Sequence, residues 1–159
     1  MKRKRPRTTF SRPSLIRECP LPRKTDSSNP ADWLYLSESD LNGIRVLSEK
    51  EEGYEMCRGK LAEVIEKVMK AELLRLGWFL EKTHDLRKLF GELETRQSDL
   101  CPALNPLVTA YAEVYFMARY PGFDLEDPDW GALRCDVAAT RELLARLKSR
   151  FGPTFNQNA

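Results

Sequence analysis

The sequence is poorest in the residues that most enzymes and metal proteins rely on. It holds one histidine, His84, and its four cysteines, Cys19, Cys57, Cys101 and Cys135, form no C-x-x-C pair. Zinc-ligand spacing is therefore missing, and the scattered thiols fit a reduced, cytoplasmic protein. Long apolar runs are missing too. The longest stretch without a charge, residues 100–112, contains Pro102 and Pro106, whereas a membrane-spanning helix needs roughly 20 apolar residues. The basic N-terminus has no apolar run behind it, so no secretory signal is expected. Phosphate-binding G-x-x-x-x-G-K-[ST], dinucleotide G-x-G-x-x-G, H-E-x-x-H and G-x-S-x-G are all absent, which removes the common nucleotide-hydrolase, dinucleotide, zincin and esterase chemistries. No metal, cofactor or catalytic residue is assigned.

What is present is divided unevenly. Lys and Arg number 26 against 24 Asp and Glu, yet residues 1–30 alone carry a net +7, leaving −5 for the rest. That first segment holds five prolines and no helical or strand periodicity. Residues 1–28 therefore read as a disordered basic arm, either a solvated tail or a tether to nucleic acid through counterion release. Residues 29–152 read as one folded domain and 153–159 as a flexible tail.

Within the domain every signal is helical. Asn29 and Pro30 mark a cap and first turn, and the spacing of Trp33, Leu34, Leu41, Ile44 and Leu47 predicts a helix over about residues 30–50. After Gly53 a second apolar stripe from Tyr54 to Leu76 predicts another long helix. Glu63 with Lys67 and Glu66 with Lys70 are assigned to its outer, solvated face. Thr83 is the expected cap of a short third helix carrying Leu86, Leu89, Phe90 and Leu93 inward. Asn105–Pro106 is the expected start of a fourth with Val108, Tyr111 and Tyr115. A fifth is expected from about Asp129 to Phe151, stopped by Gly152–Pro153. The acidic residues Asp124, Glu126, Asp127 and Asp129 form a solvated loop that feeds negative charge to its start. No segment alternates with period two, so the predicted fold class is all-α, an up-and-down bundle of four main helices and one short one. Trp33, Trp78 and Trp130 follow the apolar stripes as core or interface residues.

Three motifs in a fixed order make the reading more specific. The run Glu66-Lys67-Val68-Met69-Lys70-Ala71, the turn Thr83-His84-Asp85-Leu86, and Ala118-Arg119-Tyr120-Pro121 resemble the prokaryotic branch of the HEPN domain family, with Trp33 near the start of helix one. The resemblance covers about residues 29–150 and implies a helical bundle, a homodimer, association with RNA or nucleotides, and pairing with a small nucleotidyltransferase in toxin–antitoxin-like systems. Active members of the family carry an arginine followed, after four to six residues, by a histidine. Here Arg119 matches, but Asp124, Leu125 and Glu126 stand where the histidine belongs, and the residues before His84 that could supply an arginine are Gly77, Trp78 and Phe79. The imidazole that would take the 2′-hydroxyl proton is absent from that position. The sequence thus leans towards a non-enzymatic binding module. A ribonuclease using Arg119 with Tyr120 or the acidic loop, and a purely structural dimer, are the alternatives. Candidate nucleotide- or RNA-binding residues are Arg119 and Tyr120, as a phosphate contact beside a stacking ring, with Lys67, Lys70 and His84.

Overall fold

The computed structural model describes residues 27–117 and 127–151. The helices are α1 (Pro30–Lys50), α2 (Tyr54–Arg75), α3 (Leu86–Thr95), α4 (Cys101–Tyr111), α5 (Val114–Met117) and α6 (Trp130–Lys148), followed by a 3₁₀ turn over Ser149–Phe151. Among the described residues there is no strand, and no helix is long and apolar enough to cross a membrane. The helical bundle expected from periodicity is the fold observed. Of the basic arm, only Ser27 and Ser28 lie inside the described residues, and the expected tail lies outside them.

Local chemistry explains most helix ends. Asn29 Oδ1 accepts from the Ala31 amide at 3.1 Å, and Pro30 occupies the first turn, where its missing N–H is no loss. Between α1 and α2 the chain turns through Glu51 and Gly53, both left-handed at φ 57° and 67°. Glycine adopts that conformation without the penalty a Cβ imposes. Asp129 Oδ1 accepts from the Ala132 amide at 2.9 Å and caps α6.

Two expected boundaries are corrected. α3 is capped by Asp85, not Thr83: Asp85 Oδ1 accepts from the Arg87 and Lys88 amides at 2.9 and 3.1 Å, while the Thr83 hydroxyl only accepts from the Asp85 amide. α4 begins at Cys101 and runs through Asn105–Pro106. Leu100, Leu104, Leu107 and Val108 are all buried, and burying that continuous stripe outweighs the one backbone hydrogen bond that exposed Pro106 removes. The helix then breaks at Ala112–Glu113, so Tyr115 belongs to a separate short helix.

α2 is the central element, packed against α1, α3, α4, α5 and α6. From Leu61 to Leu73 only Glu63 and Lys67 escape burial, the pattern of a helix enclosed on nearly every side. α1 and α6 lie antiparallel, pinned by Lys148 on Glu38 at 2.9 Å, Arg141 on Asn42 at 3.3 Å and Arg134 on the Ser48 carbonyl at 3.0 Å.

A second tie closes the far end. Glu72 is fully buried and its carboxylate accepts from Arg75 Nε at 2.6 Å, Arg150 Nη1 at 2.9 Å and Ser98 Oγ at 3.0 Å. Arg150 also donates to Asp99 at 2.8 Å. That hydrogen bond, outweighing some desolvation, holds the Asp99 carboxyl below its ordinary range. Burying Glu72 is tolerable because its oxygens are so fully partnered. Elsewhere in the core, the Tyr111 hydroxyl donates to Asp136 at 2.8 Å, and burial, then the neighbouring carboxylate, push its ionisation well above the ordinary value. Cys57, Cys101 and Cys135 are free thiols.

Candidate functional site

One side of α2 carries Glu63, Glu66, Lys67 and Lys70 at three- and four-residue spacing, which places them along a common face. Three other segments fold against that face. Trp33 enters from the first turn of α1, its indole Nε1–H donating to the Ser27 carbonyl at 2.7 Å. The segment between α2 and α3 contributes Lys82 and His84, and α5 contributes Tyr115. Together these eight side chains line a cavity of about 390 Å³.

Glu66 organises the site. Its Oε1 accepts from Lys70 Nζ at 2.8 Å, and its Oε2 lies 3.0 Å from His84 Nδ1. Glu66 and Lys70 are 5% and 2% exposed, so neither charge has much water, and each is stable only because the other and His84 are in place. Lys70 Nζ also sits 5.1 Å from the centre of the Trp33 ring, a cation–π contact. The His84 ring stacks on Tyr115 at 4.7 Å and 12°. With Nδ1–H donating to Glu66, the histidine turns its Nε2 edge outward, and 58% of the side chain is exposed. Lys67 is paired with Asp40 of α1, with Glu63 a further 4.0 Å contact. Lys82 is exposed and makes no hydrogen bond or ion pair among the described residues.

Three of the five sequence candidates, Lys67, Lys70 and His84, meet in this cavity; Arg119 and Tyr120 lie outside the described residues. The assignment of Glu66 and Lys70 to a solvated face is corrected: the pair is buried, because α1 and the segment before α3 cover the turn of α2 that carries it. His84 does not order the start of α3 but reaches 18 positions back to Glu66. Trp78 is buried in the core, Trp130 packs edge-on against Tyr54 at 5.0 Å, and Trp33 is both packed and part of the cavity wall. Asp124 and Glu126 lie outside the described residues, while Asp129 serves as a helix cap. Sequence reasoning missed Trp33, Glu63, Glu66, Lys82 and Tyr115 as site residues. For the α2 residues the available signal was the recurrence of charge at 63, 66, 67 and 70 within the otherwise apolar run of residues 61–71.

Among the described residues no group of three His, Cys, Asp or Glu side chains converges as metal ligands would. The cavity offers cations and two aromatic rings, suited to a ligand with an anionic end and a flat end. A family model, the HEPN domain, matches residues 31–149, from the first turn of α1 to the start of the 3₁₀ turn. No curated protein and no solved structure matches the chain.

Proposed function

The chain belongs to the HEPN domain family, and from that premise we propose that it is a non-enzymatic module that binds a nucleotide or RNA in the cavity between α1, α2 and α5. The observation that carries the proposal is the gathering of Lys67, Lys70, Lys82 and His84 beside Trp33 and Tyr115. Cations answer a phosphate, and aromatic rings answer a base. Arg119 and Tyr120, four and five positions after Tyr115, are further candidates for the same ligand. The non-enzymatic part rests on the missing histidine after Arg119. A homodimer paired with a small nucleotidyltransferase in a toxin–antitoxin-like system completes the proposal and rests on the family resemblance.

Titrating the purified chain with AMP and with short single-stranded RNA, in chelator and at low salt, tests it directly. Trp33 lines the cavity, so tryptophan fluorescence should change saturably. Arg119→Ala and His84→Ala should each weaken binding by about 1 to 3 kcal/mol, the range for a hydrogen bond to a charged group. The RNA should stay intact. Light scattering should return twice the chain mass, and a nucleotidyltransferase encoded beside the gene should co-purify. Cleavage that disappears in either variant overturns the non-enzymatic reading. Absent binding leaves the structural dimer, and a monomer removes the dimer.

A further inference from the structure

Two of the three lysines that line the cavity already have a carboxylate partner. Lys67 is neutralised by Asp40, and Lys70 by Glu66 while its ammonium also faces Trp33. Recruiting either to a ligand would strip a carboxylate of its partner, and for buried Glu66 that is a heavy penalty. Among the described residues Lys82 has no such partner. His84 is conditional. Its Nδ1–H is directed at Glu66, so the neutral ring presents the Nε2 lone pair outward, which repels a phosphate oxygen, whereas the imidazolium presents a second N–H donor. Among the described residues, Glu66 and Tyr115 touch that ring, and Glu63, Lys67, Lys70 and Lys82 line the same cavity.

We infer that Lys82 and protonated His84 together form the phosphate contact of the cavity, and that the site selects the terminal phosphate monoester of a single nucleotide over the internal diesters of an RNA strand. This deepens the nucleotide-binding reading and rests on it. A monoester carries up to two charges and three free oxygens, enough to engage both cations at once. A strand needs a groove with a succession of cations along its backbone. Among the described residues the cavity provides one lysine without a carboxylate partner, and its volume of about 390 Å³ lies towards the small end of ligand sites.

Calorimetry with AMP, adenosine, adenosine 5′-sulfate and a short RNA with hydroxyl ends tests each part, with circular dichroism confirming that every variant is folded. AMP should bind about tenfold or more tightly than adenosine or the hydroxyl-ended RNA. Lys82→Gln should weaken AMP about tenfold and Lys82→Arg should largely restore it. The charge-neutral double change Asp40→Asn/Lys67→Gln should cost clearly less than Lys82→Gln. His84→Gln should weaken the sulfate ester, whose charge is constant, about threefold or more. If Lys82→Gln has no effect, or the double change costs as much, the assignment of the phosphate contact fails while the nucleotide site stands. RNA binding as tight as AMP overturns the selectivity for a monoester, and a sulfate ester bound equally well by His84→Gln overturns the role of His84. If AMP does not bind at all, this inference and the nucleotide-binding reading fall together.

Discussion

Glu66 serves Lys70 and His84 at once, and these neighbours depend on it unequally. Lys70 is almost without solvent, whereas His84 has water on its outer edge. Removing the carboxylate would strand the lysine but only loosen the histidine. Lys70→Met should therefore destabilise the fold by about 3 to 5 kcal/mol, since a buried carboxylate then loses its principal partner. The double change Glu66→Met/Lys70→Met should recover most of that loss, because neither charge remains to be solvated. Urea unfolding of the two proteins checks this, and a double variant no more stable than the single one would contradict it.

At the scale of elements, the legible boundaries are those set by local chemistry. Asn29–Pro30, Gly53 and Asp129 each act through atoms within three residues, so α1, the start of α2 and the start of α6 could be placed from the sequence. α4 could not. Asn105–Pro106 has the local form of a start, but the burial of the α4 stripe is decided by the packing of α3, α2 and α6, which the local sequence does not display. The site was half legible for the same reason. Lys67, Lys70 and His84 carried a family pattern, while the burial of Glu66 and Lys70 depends on what packs over α2. Gly53 gives a prediction at this scale. Space for a Cβ exists there, with Met56 no nearer than 3.5 Å, but φ is +67°. Gly53→Ala should cost about 1 to 2 kcal/mol through backbone strain alone, read as a lower midpoint in thermal unfolding with an unchanged helical spectrum.

For the whole molecule, the useful question is where the folded unit begins. The Ser27 carbonyl holds the Trp33 indole, and the Ser27 hydroxyl bonds Asp32, so the contacts that fix the cavity's tryptophan reach back to position 27. Removing residues 1–26 should leave the melting temperature nearly unchanged. Extending the deletion through Ser28 should cost about 1 kcal/mol, or about 3 °C, by freeing the indole N–H. Equal melting temperatures for the two truncated proteins would show that this anchor contributes nothing.

The antiparallel seam between α1 and α6 also bears on how the protein is made. Lys148 and Glu38, joined in the native state, are 110 positions apart. At ordinary translation speeds the ribosome needs about 5 to 20 seconds to cover that interval, while a helix forms in about a microsecond. α1 and α2 are thus complete long before the helix that pairs with Glu38, Asn42 and Ser48 has been synthesised. Nascent chains halted before Trp130 should be protease-sensitive and prone to associate through the uncovered face, and release of α6 is the event that protects them.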